Sequence, residues 1–144
     1  MTRAEGLKLL AEDTEDLEVI SAALQDAVAH VGDFEWDPRG RSFTLALNRF
    51  RWEAPSRFLG GRVRAGLQFG SVLAVRSRSV RRDPPDAVVY LLALSFELGE
   101  APGGVVRLTF AGGGDLELTV ECIDAALVDV SPPWPTPSKP AHEP

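Results

Sequence analysis

Residues 62–80, Arg62-Val-Arg-Ala-Gly-Leu-Gln-Phe69-Gly-Ser-Val-Leu73-Ala-Val-Arg-Ser-Arg-Ser-Val80, decide the fold class. In Arg62–Phe69, Val63, Ala65, Leu67 and Phe69 alternate with Arg62, Arg64, Gly66 and Gln68. Period-two alternation is the mark of a half-buried strand. Past Gly70-Ser71, Leu73, Val75, Ser77 and Ser79 oppose Arg76, Arg78 and Val80. The pattern predicts a hairpin. A two-residue turn suits Gly70, but it would set Val63 against Arg78. Burial carries more free energy than turn preference, so a three-residue loop is expected, with Arg64 across from Arg78 and Gly66 across from Arg76.

Upstream, residues 42–53 read as another strand whose parity changes. Phe43, Leu45 and Leu47 share one face, and Phe50 and Trp52 share the other. A regular strand cannot point both sets inward, so a bulge or sharp twist is expected near Asn48-Arg49. Asp37-Pro-Arg-Gly supplies the preceding turn, and Phe34 and Trp36 alternate with acids before it. Residues 7–11 suggest a short opening strand. Asp13 is a candidate N-cap for an amphipathic helix over about residues 14–29, with Leu17, Ile20, Leu24, Ala27 and Val28 at helical spacing. Glu15, Glu18 and Asp26 form its acidic side, and Gly32 is its stop signal.

Downstream, residues 87–98 are apolar enough to suggest burial on both faces. Residues 105–111 and 116–122 follow as strands around Gly112-Gly-Gly-Asp115, and 123–130 continue as strand or as an end-capping helix. Leu45-Ala-Leu and Glu53-Ala-Pro recur as Leu92-Ala-Leu and Glu100-Ala-Pro at one common offset, as a duplicated meander or chance would give. The fold class expected is α+β: a twisted antiparallel sheet or partly closed β-barrel of about seven to nine strands, with one N-terminal amphipathic helix. Residues 1–130 form this single domain, and 131–144 a proline-rich extended tail.

Charge is segregated along the chain. Between Arg39 and Arg82 there are eleven arginines and a single acid, Glu53, while the whole protein of 144 residues stands at −6. Each flank holds ten acids and two bases. Such segregation sets up either internal ion pairs or an anion-binding surface. The candidate partner-binding residues are Arg49, Arg51, Arg62, Arg64, Arg76 and Arg78, with Asn48, Trp52 and Glu53 as accessories. Guanidinium forks suit carboxylate and phosphate. The internal alternative pairs these arginines with Glu117 and Glu121 on a neighbouring strand.

Catalytic constellations are thin. His30 and His142 are the two histidines, Cys122 the single cysteine, and Cys122 alternates inward with Val120. Nucleophile–histidine pairs and histidine metal sites are disfavoured, and no cofactor is expected. Paired carboxylates remain as acid–base candidates: Glu53, Glu117 with Glu121, or Asp115 with Asp124. The Gly112-Gly-Gly-Asp115 loop precedes a strand, so it is a turn and not a phosphate cradle. The opening residues Met1-Thr-Arg-Ala-Glu-Gly lack the apolar core of a signal peptide, and one cysteine fits a reducing cytoplasm. No run approaches the roughly 20 apolar residues that span a bilayer. The expected partner is an acidic protein or anionic small molecule. Nucleic acid is opposed by the twenty flanking acids, and a homo-oligomer is left open.

The segments Leu17–Gly32, Leu47–Glu53 (LNRFRWE), Arg64–Phe69 with Val72–Val75, Leu108–Asp115 (LTFAGGGD) and Val120–Asp129 ending near Pro133-Trp134 resemble a bacterial family, domain of unknown function 2948, found mainly in alphaproteobacteria. The resemblance spans nearly the whole chain and implies a one-domain bacterial protein. It carries no activity, cofactor or site residue. On residues and resemblance together, the expectation is a non-catalytic binding or interaction module; the alternative is a small enzyme using Glu53 or Glu117/Glu121.

Overall fold

A computed structural model of the chain describes residues 6–53, 61–80 and 84–134. One helix, α1 (Thr14–Ala23), and ten strands make an α+β fold: β1 (Lys8–Ala11), β2 (Ala27–His30), β3 (Phe34–Asp37), β4 (Ser42–Phe50), β5 (Arg62–Phe69), β6 (Val72–Arg78), β7 (Val88–Leu98), β8 (Gly104–Phe110), β9 (Asp115–Val120) and β10 (Ala125–Asp129). The strands form one antiparallel sheet in the order β1-β10-β5-β4-β2-β7-β8-β9-β6, with β3 pairing the other half of β4. The fold class is the expected one, with one strand beyond the expected range. Among the described residues no helix is long and apolar enough to cross a membrane.

The extra strand comes from the supposed end of the helix. Asp13 caps α1 as expected, its Oδ1 accepting the Asp16 N–H at 2.8 Å. The helix stops at Ala23, and Asp26 takes a left-handed φ of 65°. The chain then runs straight: Ala27–His30 pairs with β7 and touches β4 through Val28 opposite Asn48. Ala27 and Ala29, two apart, are both buried, and Val31 follows on the same parity. This strand period is short enough to pass for the last turn of a helix. Asp26 thus lies off the helix, and Gly32 sits in the short 3-10 turn Val31–Asp33.

The expected β5–β6 hairpin does not form. β5 pairs with β4 and β10, while β6 pairs with β9. Gly70-Ser71 is a corner between the two halves of the sheet. Gly70 N–H bonds the Asp124 carbonyl at 2.8 Å, Val72 N–H bonds the Arg41 carbonyl at 2.8 Å, and the Ser71 carbonyl takes Glu121 N–H at 2.9 Å. Both strands still turn apolar residues to the core, so burial is met without pairing them. Arg64 is therefore opposite Asn48 and Arg78 opposite Asp115, and the Arg64–Arg78 opposition is overturned. A register shift between Val72 and Ala74 leaves Leu73 exposed.

The expected bulge in β4 is absent as well. The strand keeps regular register with β5 from Phe43 to Phe50. The parity change is resolved by chemistry: Arg49 takes the inward position after Phe43, Leu45 and Leu47, and is completely buried. Phe50 is buried on the opposite face, where the Trp52 ring meets it edge-on at 4.8 Å.

β7 buries one face only. Leu91 and Leu94 enter the core, while Val88, Tyr90 and Leu92 stay about half exposed. A duplicated three-strand meander is not seen, because β8 pairs with β9 whereas β5 does not pair with β6. Residues 125–129 form strand, not a capping helix. Of the expected tail, Trp134 forms a backbone bridge to Arg62, with N–H···O distances of 2.8 and 2.9 Å in the two directions. Residues 135–144 lie outside the described residues.

The core is continuous. Leu17 and Ile20 of α1 and Leu24, which caps it, join Leu45, Leu47, Leu67, Phe69, Leu108, Leu118 and Leu127 from the inner face of the curled sheet. The open seam lies between β3 and β6. There Val31, Phe34, Trp36, Phe43, Val75, Ser77, Val80 and Leu116 line a cavity of about 180 Å³.

Candidate anion site on the outer face of the sheet

The six candidate arginines divide into three environments. Arg49 is the centre of a buried ion-pair knot. Its Nε and Nη2 reach both Asp129 carboxylate oxygens at 2.8 Å, and its Nη1 and Nη2 reach both Glu53 oxygens at 2.8 and 2.7 Å. Asp129 also accepts the Leu7 N–H at 2.8 Å. The knot ties β4, the turn after it, β10 and the chain entering β1. Burial works against the Arg49 charge, but the hydrogen bonds to Glu53 and Asp129 outweigh it and raise its pKa. Arg51 N–H bonds the Gly61 carbonyl, and its charge helps hold Glu53 ionised.

Arg76 and Arg78 lie on β6, on the outer face of the far half of the sheet. Arg76 is 3.5 Å from Glu117, which Arg107 of β8 also binds at 2.6 Å, and Arg78 binds Asp115 at 2.6 Å. These are cross-strand ladders in register, of the kind the internal alternative anticipated with Glu117. Glu121 binds Arg41 at 2.7 Å instead.

Arg62, Arg64 and Asn48 come together. Asn48 is opposite Arg64 on neighbouring strands, and residues directly opposite share a face. Its side-chain Oδ1 accepts Arg64 Nη1 at 3.2 Å, and its backbone carbonyl accepts Arg62 Nη1 at 3.3 Å. One neutral residue therefore draws two guanidinium groups together. A carboxylate reaches one of the two: Asp33 Oδ2 accepts Arg64 Nη2 at 3.1 Å and lies 3.8 Å from His30 Nδ1. Among the described residues Arg62 has no carboxylate partner. It is flanked in register by Phe50 on one side and Trp134 on the other. Gly66, two residues beyond Arg64, faces open space. Guanidinium groups are geometrically suited to carboxylate and phosphate oxygens.

The accessory residues separate. Asn48 joins the arginine pair, Glu53 belongs to the Arg49 knot, and Trp52 donates its Nε1–H to the Gln25 carbonyl at 3.0 Å. Asp33, His30, Asp129 and Trp134 were not among the residues singled out from sequence. Asp129 had a legible signal: it shares the inward parity of Ala125 and Leu127, just as Arg49 shares that of Leu45 and Leu47. Opposite charges on two inward parities point to a buried pair. Asp33 gave no such signal, because its contact with Arg64 depends on how β2 and β3 share one edge of β4.

The carboxylates proposed for acid–base work act as ion-pair acceptors. Hydrogen bonds from Arg49 hold Glu53 below its ordinary value of 4.5. The bond from Arg107 lowers Glu117 in the same way. No group of three or more histidines, cysteines or acids suited to a metal occurs among the described residues. Because the folded Glu53 binds its proton more weakly than the unfolded one, its contribution to stability is complete above about pH 4.5 and is lost as pH falls through the folded pKa. Urea midpoints of wild type and Glu53→Gln should therefore differ near neutrality and converge as pH falls through the folded pKa of Glu53. A gap that does not change with pH would contradict this.

The fold and site define a small β-rich protein that carries the Arg62–Arg64–Asn48 cluster on the outer face of its sheet. The chain belongs to the family described as protein of unknown function DUF2948, whose model matches residues 7–142. No curated protein and no solved structure matches it.

Proposed function

We propose that the protein is a non-catalytic interaction module that recognises a carboxylate-bearing partner, an acidic protein segment, through Arg62, Arg64 and Asn48. The observation that carries this reading is the convergence of two guanidinium groups on Asn48, of which only Arg64 meets a carboxylate, Asp33, among the described residues. Like charges brought together repel, and an incoming anion relieves that repulsion. Arg49 has no part in recognition: both faces of its fork are occupied and it is closed to solvent. Arg76 and Arg78 are open to solvent but already paired, so they tune the local field and do not anchor the partner. The bonds that keep Glu53 and Glu117 ionised give the catalytic alternative no proton donor at neutral pH.

Titration of the nitrogen-15-labelled chain with polyglutamate tests the reading. The Nε–H resonances of Arg62 and Arg64 are expected to move saturably, and those of Arg76 and Arg78 to move little. Arg62→Ala with Arg64→Ala should weaken binding about tenfold or more, and rising salt should weaken the wild type. Equal movement at all four arginines, or movement at none in a monomeric chain, would reject the site.

A further inference from the structure

We propose that the partner on this face is a second copy of the chain, which lays its α1 across β7, β2, β4 and β5. This rests on the reading of Arg62 and Arg64 as a carboxylate-binding pair and names what they bind.

The receiving face is a row in register. Tyr90 of β7 is opposite Val28 of β2, Val28 is opposite Asn48 of β4, and Asn48 is opposite Arg64 of β5. Three strand spacings separate its ends, about 14 Å. Polarity changes along the row. Tyr90 and its neighbour Val88 make an apolar end, 48% and 47% exposed, and Arg62 and Arg64 make a cationic one. The monomer's own helix does not cover this face, because α1 turns Leu17 and Ile20 into the core.

The opposite side of α1 has the matching order. Glu15, Glu18, Val19 and Ala22 fall at i, i+3, i+4 and i+7, one stripe of a helix, and all four are exposed. Acids occupy its N-terminal end and apolar groups its C-terminal end. From Glu15 to Ala22 the stripe runs about 10 Å, within the length of the row. Val19 is 55% exposed, and among the described residues neither Glu15 nor Glu18 meets a cation. Laid with Glu15 and Glu18 toward Arg62 and Arg64, the helix brings Val19 and Ala22 toward Val28 and Tyr90. Made reciprocally, the contact forms twice and closes a two-fold dimer, which limits assembly to two copies.

Charge swapping separates this arrangement from any other. In sedimentation velocity the full chain should be a dimer at micromolar concentration. Glu15→Lys/Glu18→Lys and Arg62→Glu/Arg64→Glu should each raise the dissociation constant at least tenfold while keeping the far-ultraviolet spectrum of the wild type. An equimolar mixture of the two variants should recover dimer, since both contacts of the mixed pair are then complementary. Val19→Ser, which changes no charge, should weaken the dimer independently. A wild type that stays monomeric, or a mixture that fails to recover dimer, overturns the proposal. If polyglutamate still moves the Arg62 and Arg64 resonances of a monomeric chain, the binding site stands and its occupant is a different acidic protein. If it moves neither, both readings fall together.

Discussion

Arg49→Ala is expected to lower the stability of the fold by roughly 3–5 kcal/mol, the scale for removing one partner of a buried charge pair. The loss exceeds the worth of the contacts themselves. In the wild type, Asp129 has a side chain only 5% exposed and Glu53 is partly open. Removing the guanidinium leaves the Asp129 carboxylate in the protein interior with the Leu7 N–H as its remaining donor. A buried charge without a counter-ion costs more than a buried pair gains. Urea denaturation should show a large fall in midpoint with little change in slope. The control is decisive. Arg49→Met combined with Asp129→Leu removes both charges and should recover much of the loss, whereas Arg49→Lys should recover little, because an ammonium cannot make two bidentate pairs. A single variant as stable as wild type would show that the knot adds nothing to the fold.

That knot also shows what the sequence could and could not disclose. The change of parity in residues 43–52 was visible, and a bulge was the reading that kept every aromatic residue inward. Reading each strand alone hid the alternative, a charged residue turned inward, because the buried one of its two counter-ions, Asp129, lies eighty positions away in β10. The same limit shaped the helix. Ala27 and Val28 fit both a last helical turn and the start of a strand, and their pairing with β7 decided the matter. In residues 62–80 alternation located both strands and the inward face of β5, since burial is recorded residue by residue, but Leu73, expected inward, is exposed at the register shift of β6, and Val80, expected outward, packs against the core. It could not say that β5 and β6 belong to opposite ends of the sheet order. Pairing depends on Asp124, Arg41 and Glu121 receiving the corner. Of the candidate site, the arginines were legible as a charge excess. Their sorting into a buried knot, cross-strand ladders and one incompletely neutralised cluster was set by those long-range pairings.

Phe69→Ala is the second substitution expected to carry a large cost, about 3–5 kcal/mol for truncating a buried phenylalanine. Phe69 is 1% exposed, opposite Phe43 on β4 and Ala125 on β10, at the end of β5 where the chain leaves one half of the sheet for the other. The neighbouring row, Leu45, Leu67 and Leu127, is fully buried and strand-bound, so it cannot collapse into the space left behind. Phe69→Leu retains most of the volume and should cost under about 1.5 kcal/mol. This pair also bears on function. Phe69 faces inward from the end of β5, whereas Arg62 and Arg64 face outward near its beginning. If recognition resides in the outer face, Phe69→Ala should lower the denaturation midpoint while leaving polyglutamate affinity unchanged wherever the chain is folded. An affinity that fell in step with stability would mean that the cationic cluster depends on the packing beneath it, and that the outer face is not a rigid platform.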